Sequence, residues 1–215
     1  MTDAGFFLVL EGVEGAGKTT QARLLGERLA AAGVRHRVVR EPGGTVAGER
    51  AREIVLDPEL ELSAEMELLL VLAARAEFVR KIVRPALAAG EVVVADRYDL
   101  STLAYQGVGR GLGVNAVARL NEFATGGLAP DAVLLLELPV AEGLSRKGGA
   151  ADRLEREGVA FLQRVAAGYE QLARERPEII RIDSMGEIDE VGARIVEALA
   201  ARHAETFAAV AGLRD

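Results

Sequence analysis

The sequence predicts an α/β fold in which one parallel sheet of short apolar strands is covered on both faces by helices. Three observations carry this expectation. Short β-like runs alternate with longer helical patterns along the 215 residues. The runs are apolar throughout, without the polar alternation of a half-exposed strand. Finally, Gly12-Val13-Glu14-Gly15-Ala16-Gly17-Lys18-Thr19 follows directly on Phe6-Phe7-Leu8-Val9-Leu10 and precedes a helix-friendly segment. Strand, glycine-rich loop and helix are the three parts of a phosphate-binding turn, in the order such a turn needs.

The first strand is expected at about 6–10, the next near Arg37-Val38-Val39, then Val92-Val93-Val94-Ala95, Ala132-Val133-Leu134-Leu135-Leu136 and Ile179-Ile180-Arg181-Ile182. Helices are expected near 18–32, 46–56, 63–89, 114–126, 155–175 and 187–206. Gly33 and Gly90 stand where helices should stop, and Pro85 should kink the third helix late in its course. The glycine-rich stretch Gly107–Gly113 lacks the strand-to-helix setting of a dinucleotide fingerprint and reads as a flexible loop. One domain, 1–215, accommodates all of these elements.

Composition narrows the function. Half the residues are hydrophobic, which suits a soluble globular chain. No apolar run approaches the roughly 18 residues of a membrane span, and the first residues carry no basic stretch of a secretory signal, so no membrane partner and no signal peptide are expected. Cysteine is absent, which excludes disulfides and thiolate metal sites. His36 and His203 are the two histidines, far apart among charged or polar neighbours, and both read as surface residues. A net charge of −7 argues against nucleic acid as a partner, so an anionic substrate must be held by local arginines and oriented amides.

Glycines 12, 15 and 17 let the backbone N–H groups of the loop from Gly12 to Thr19 turn toward phosphate oxygens. Lys18 can reach the β- and γ-phosphates of a nucleotide such as ATP, and the Thr19 hydroxyl can ligate Mg²⁺. Ligands of open α/β sheets collect at the carboxyl ends of strands. The second strand is followed there by Arg40-Glu41-Pro42-Gly43-Gly44-Thr45, which by itself is turn chemistry. The third is followed by Asp96-Arg97-Tyr98, an acid suited to Mg²⁺ beside an arginine suited to clamp phosphate. Arg75 shares a helical face with Val71, and by spacing alone is equally a ligand contact or an arginine snorkelling from an apolar helix. Arg146, Lys147 and Arg153 flank a small-residue segment that reads as a mobile basic lid at about 143–156.

Together these motifs resemble the bacterial thymidylate kinases. The resemblance rests on the loop Gly12–Thr19, the segment Arg40–Thr45, the stretch from Asp96 to Gly107 and Asp152-Arg153-Leu154-Glu155, in the family's order. It implies a five-stranded phosphate-loop fold of the nucleoside monophosphate kinase type and transfer of the ATP γ-phosphoryl group to dTMP. Mg²⁺ and a cytoplasmic homodimer are implied as well. Carried over by position, Lys18 binds the donor phosphates and Glu14 helps to position the acceptor's sugar. Arg97 bridges the acceptor phosphate and the transferred group, and Arg52 lies near that phosphate. Arg75 donates to thymine O4, Ser101 and Thr102 lie by the base, and Tyr105 packs under the deoxyribose. Gly15 occupies the loop position that carries arginine in one branch of the family, so the catalytic cation should come from the lid, at Arg146 and Arg153. Two departures stand out: Val71 replaces the family's usual stacking phenylalanine, and the lid has fewer arginines than usual. The alternatives are a kinase for another nucleoside monophosphate and a degenerate, non-catalytic nucleotide binder. A guanine-nucleotide switch would need Asn-Lys-x-Asp, which is absent.

Overall fold

Five strands form one sheet in the order β2-β3-β1-β4-β5. They are β1 (Phe6–Gly12), β2 (His36–Arg40), β3 (Val92–Asp96), β4 (Ala132–Glu137) and β5 (Ile179–Asp183), and every pairing is parallel. The computed structural model describes residues 5–146, 152–176 and 178–212. The central strands β1, β3 and β4 are buried along nearly their whole length, which is why their sequences are continuous apolar runs. β2 is an edge strand with an exposed face, and its two arginines and histidine fit that place.

Helices cover both faces. They are α1 (Lys18–Ala31), α2 (Val46–Leu56), α3 (Ala64–Phe78), α4 (Arg84–Ala88), α5 (Asp99–Thr102), α6 (Val114–Thr125), α7 (Val140–Arg146), α8 (Val159–Glu175), α9 (Ile188–Arg202) and α10 (Ala204–Ala211). Thr45 and Ser63 cap α2 and α3 by accepting from the N–H groups of Gly48 and Met66. α1 instead starts straight from Gly17 at φ 89°, a left-handed turn that leaves its first N–H groups unoccupied by any side-chain cap. The hydrophobic core is one cluster that reaches from β1, β3 and β4 to Leu25 and Leu29 of α1, Phe161 of α8 and Leu199 of α9. No helix among the described residues is long and apolar enough to cross a membrane.

Five local expectations are corrected. The helix expected over 63–89 divides into α3, a π-helical turn Val79–Val83 and α4. Pro85 has no N–H to offer the preceding turn, and the chain answers by widening, with Arg84 N–H reaching Val79 O. The helix expected over 155–175 begins instead as a 3₁₀ turn at Glu155–Glu157, with α8 starting at Val159 after Gly158. The helix expected over 187–206 breaks at His203, whose ψ of 51° is not helical. His203 is also half-buried, its ring edge-on to Phe6 at 5.0 Å, and His36 is half-buried with Nδ1 2.9 Å from Val34 O. Gly107–Gly109 belongs to a second π-helical segment, Leu103–Gly109, and not to a loop. Residues 147–151 of the expected lid lie outside the described residues.

Candidate active site

The loops at the carboxyl ends of the strands surround one cleft of about 620 Å³. The loop and first turn from Glu14 to Gln21 line one side, with Arg40, Glu41 and Pro42 after β2, and Asp96 and Arg97 after β3. Ser184, Gly186, Ile188 and Val191, after β5 and on α9, close the far end. Lys18 is 6% exposed, and its Nζ donates to Val13 O at 2.7 Å, curling back over its own loop. Burial, and then the charge of Arg97, push its ammonium down from 10.5 to about 8, against the pull of Glu14 and Asp96.

Gly15 has no room for a side chain. A Cβ there would lie 2.1 Å from the carbonyl oxygen of Gly143 on α7, and a Cβ on Gly143 would lie 2.2 Å from Glu14 O. The two backbones touch, so the loop conformation depends on a pair of glycines. An arginine at position 15 is therefore incompatible with this packing.

Thr19 Oγ1 donates to Asp96 Oδ2, which joins the start of α1 to the end of β3. Beside them Arg97 adopts φ 75°, a left-handed conformation unusual for a side-chain-bearing residue. Its N–H donates to Leu10 O at 2.9 Å, and its guanidinium turns to the phosphate loop. Nη1 donates to Gly12 O at 3.2 Å, to Ser101 Oγ at 3.0 Å and to Tyr169 OH at 3.2 Å, while Nη2 pairs with Glu14. Tyr105 lies under the guanidinium, 5.2 Å from its ring centre.

What holds this turn is Glu11, a residue the sequence reading missed. It is fully buried, accepts from Tyr98 N at 2.8 Å and Ser101 N at 3.1 Å, and also takes the hydroxyls of Ser101 and Tyr169. Burial raises its carboxyl above the ordinary value, against those hydrogen bonds and the Arg97 charge. An acid inside an apolar strand was the available signal, since it must find partners where it is buried.

The opposite side of the cleft is lined by Val71, Arg75, Ser101, Thr102, Tyr105 and Gln106, with Arg52 nearby. Arg75 is 2% exposed, which excludes the snorkelling alternative. Nε donates to Glu41 at 2.8 Å, Nη1 to Thr102 Oγ1 at 2.8 Å and Asn121 Oδ1 at 2.6 Å, and Nη2 to Tyr98 O at 2.9 Å. These bonds use all but one of the five N–H groups of a guanidinium. Burial pushes the Glu41 carboxyl up to about 7 against the pull of Arg75. Val71 is 7% exposed and presents an aliphatic wall. The π-helical segment from Leu103 places Tyr105 and Gln106 side by side on that wall; Gln106 was not anticipated. Arg52 Nη1 donates to Pro42 O at 3.0 Å, which ties α2 to the loop after β2.

The family model of thymidylate kinases matches residues 10–195. A thymidylate kinase of Ectopseudomonas mendocina is 47% identical over 186 residues, covering 85% of this chain and 89% of its own length. One of a Synechococcus strain is 51% identical over 192 residues, covering 88% and 91%. One of Deinococcus radiodurans is 47% identical over 201 residues, covering 92% and 98%.

The chain belongs to the thymidylate kinase family.

Within this thymidylate kinase fold, the two arginines expected to serve as lid cations differ in placement. Arg146 ends α7 and lines the cleft, with Nε on Glu142 at 3.0 Å and Nη1 on Ser184 O at 3.1 Å. Arg153 does not line the cleft. It is 8% exposed, donates from Nε to Val55 O at 2.8 Å and pairs through Nη2 with Glu67. Arg153 was expected to face the nucleotide; here its guanidinium turns to a buried carboxylate instead. Ser184 Oγ is buried without a partner among the described residues, at the end of the kinase's cleft nearest α9.

Replacing Gly143 with alanine should push the phosphate loop out of place, lowering kcat/KM for ATP by about tenfold to a hundredfold while circular dichroism stays unchanged. Lys18→Met should lower turnover by about a thousandfold. It should also raise the melting temperature of the nucleotide-free kinase at pH 7. The folded lysine holds its proton less tightly than the unfolded one, so it costs stability in full below about pH 8 and the cost fades toward pH 10.5. Melting curves across that range test the sign.

Proposed function

We propose that this chain transfers the γ-phosphoryl group of ATP to dTMP, giving dTDP and ADP, through Lys18, Arg97, Arg146 and Glu14. The observation that carries the reading is the meeting of Arg97 with the Lys18 loop, at Gly12 O and Glu14, on the wall of a cleft of about 620 Å³. Two negatively charged reactants need such a meeting point.

The acceptor is itself a phosphate with a second pKa of about 6, so near neutrality it needs no general base. The cleft lining accordingly contains no histidine among the described residues. Lys18 leaves Val13 O for the donor phosphates, and the loop amides from Gly12 to Thr19 take their oxygens. Arg97 holds the acceptor phosphate against the group in transfer, and Glu14 keeps that guanidinium aligned while facing the acceptor's sugar. Arg146 reaches in from the rim beside Ser184, and Arg52 supplies further positive charge for the acceptor phosphate.

The residues present suit Mg²⁺. Thr19 and Asp96 offer hard oxygen atoms already in contact, and no group of three or more metal-binding side chains occurs among the described residues. An ion that takes most of its ligands from phosphates and water fits that donor set. Bound there with ATP, it would neutralise charge on the phosphates.

Base choice falls to Arg75. Fixed by Glu41, Thr102, Asn121 and Tyr98, it keeps one N–H for the cleft and can only donate. Thymine O4 accepts, whereas the cytosine amino group would face it donor to donor. Ser101 and Thr102 border the base, Tyr105 underlies the sugar, and Val71 packs on the base by aliphatic contact.

A homodimer would cover an apolar stripe. Met66, Leu69 and Ala73 on α3 and Ala116, Leu120 and Phe123 on α6 are exposed at helical spacing, with Phe123 88% exposed. α3 packs against α6, which brings the two helices that carry these stripes together. A cytoplasmic enzyme fits the soluble nucleotides of the reaction.

A coupled ADP-release assay across monophosphates should show dTMP and dUMP preferred over dCMP by about tenfold or more, the scale of a buried donor clash of about 1–3 kcal/mol. Arg75→Met should erase the preference and Arg97→Ala should abolish turnover; equal rates on all three substrates would reject the reading. Phe123→Glu should convert a dimer to a monomer in analytical ultracentrifugation.

A further inference from the structure

Glu67 lies one helical turn before Val71 on α3 and is fully buried, yet it does not line the cleft. Its carboxylate gathers three side chains from two other parts of the chain. Gln106 Nε2 donates to Oε1 at 2.7 Å, Arg110 Nη2 to Oε2 at 2.8 Å, and Arg153 Nη2 to the same Oε2. Burial works to raise this carboxyl, but the bonds from Arg110, Gln106 and Arg153 hold it below the ordinary glutamate value.

Two of these partners set the cleft wall. Gln106 lines the cleft directly. Arg153 stands between Asp152 and Leu154, both of which line it. Arg153 also donates from Nε to Val55 O at 2.8 Å and from its backbone N–H to Leu56 O at 3.2 Å, and Val55 and Leu56 are lining residues as well. Arg110, the third partner, stacks 4.7 Å over Phe161 and pairs with Glu157 at 2.6 Å, so its charge is met from a second side. The cluster thus joins α2, α3, the π-helical segment and the chain at 152–154 under the same wall that carries Val71 and Arg75.

We infer that Glu67 is a positioning residue for the acceptor nucleotide and that Arg153 is its arm: together they set the acceptor-side wall, and Arg153 takes no part in phosphoryl transfer. The inference rests on the reading of that wall as the dTMP site. It follows from the geometry because the ion pair ties the chain at Asp152 and Leu154 to Gln106 through one carboxylate, on the side of the cleft that carries Val71 and Arg75. A guanidinium with Val55 O and a buried carboxylate as partners is committed to structure.

Steady-state kinetics of Glu67→Gln, Arg153→Gln and the double variant decide it. Each single variant should raise KM for dTMP by about tenfold, the order expected when a charge-assisted hydrogen bond behind a binding wall is lost. KM for ATP should stay within about twofold, and kcat should fall less than KM rises. The double variant should be no worse than the more affected single one, since both break the same link. Arg153→Lys, which keeps the charge but not the fork, should fall between Arg153→Gln and the unaltered enzyme. If Glu67→Gln fails to fold, the two Arg153 variants carry the test alone. A kcat loss of about a thousandfold in Arg153→Gln at unchanged KM for dTMP would overturn the inference and make Arg153 a catalytic residue. Equal rises in both KM values, or none, would overturn it too. Unaltered enzyme that does not phosphorylate dTMP would reject the functional reading itself, and the inference with it.

Discussion

Arg97 is the constraint on which the rest of the site depends. Its backbone is held in a left-handed conformation at φ 75°, which a side-chain-bearing residue keeps only when its surroundings over-determine it. Leu10 O takes its N–H, and Glu11 takes the N–H groups of Tyr98 and Ser101 just beyond. The turn is thereby fastened to β1, the strand that also delivers the phosphate loop. The guanidinium then reaches Gly12 O and Glu14. A parallel sheet brings the ends of β1 and β3 side by side through the pairing of Leu10 with Asp96, and this turn converts that adjacency into a contact between loop and arginine.

Three buried carboxylates form a supporting layer beneath the cleft. Glu11 holds the Arg97 turn, Glu41 holds Arg75, and Glu67 holds Gln106, Arg110 and Arg153. Each is at most 2% exposed; Glu11 and Glu67 take several donors each, while Glu41 takes Arg75 Nε on Oε2 and its Oε1 has no partner among the described residues. Desolvating a carboxylate is costly, so these acids are tolerated where a buried donor meets them, and removing a partner from such a pair costs about 3–5 kcal/mol. A chain with net charge −7 can hold an arginine-rich anion site in this way, because part of its negative charge is spent under the site and not across it.

The two π-helical turns act on the same wall. The one at Val79–Val83 absorbs Pro85 at the end of α3, while the helix above it, with Val71 and Arg75, stays regular. The one at Leu103–Gly109 sets Tyr105 and Gln106 against the cleft and leads into the glycine-bearing turn before α6. Neither was legible as a π turn. A single extra residue in a helical repeat leaves no periodic trace in the sequence, and the glycines at 107, 109, 111 and 113 suggested a loop instead.

Much of this protein was legible in the order of its residues, because those signals are local. The apolar runs mark strands buried on both faces, the glycines around Lys18 mark a turn that must tolerate positive φ, and Asp96-Arg97 marks a strand end. All concern residues that are neighbours along the chain, and the five strands and their helices follow from them. What tertiary structure alone decided was the partnership of residues far apart in sequence. Arg75 read equally as a ligand contact or a snorkelling arginine until the guanidinium was seen buried among Glu41, Thr102 and Asn121. Arg153 read as a cation for the nucleotide, and its pairing with Glu67, 86 positions away, had no trace in the sequence. A basic side chain goes to the carboxylate that is nearest in space and least exposed to water, and distance in space is a property of the folded chain alone.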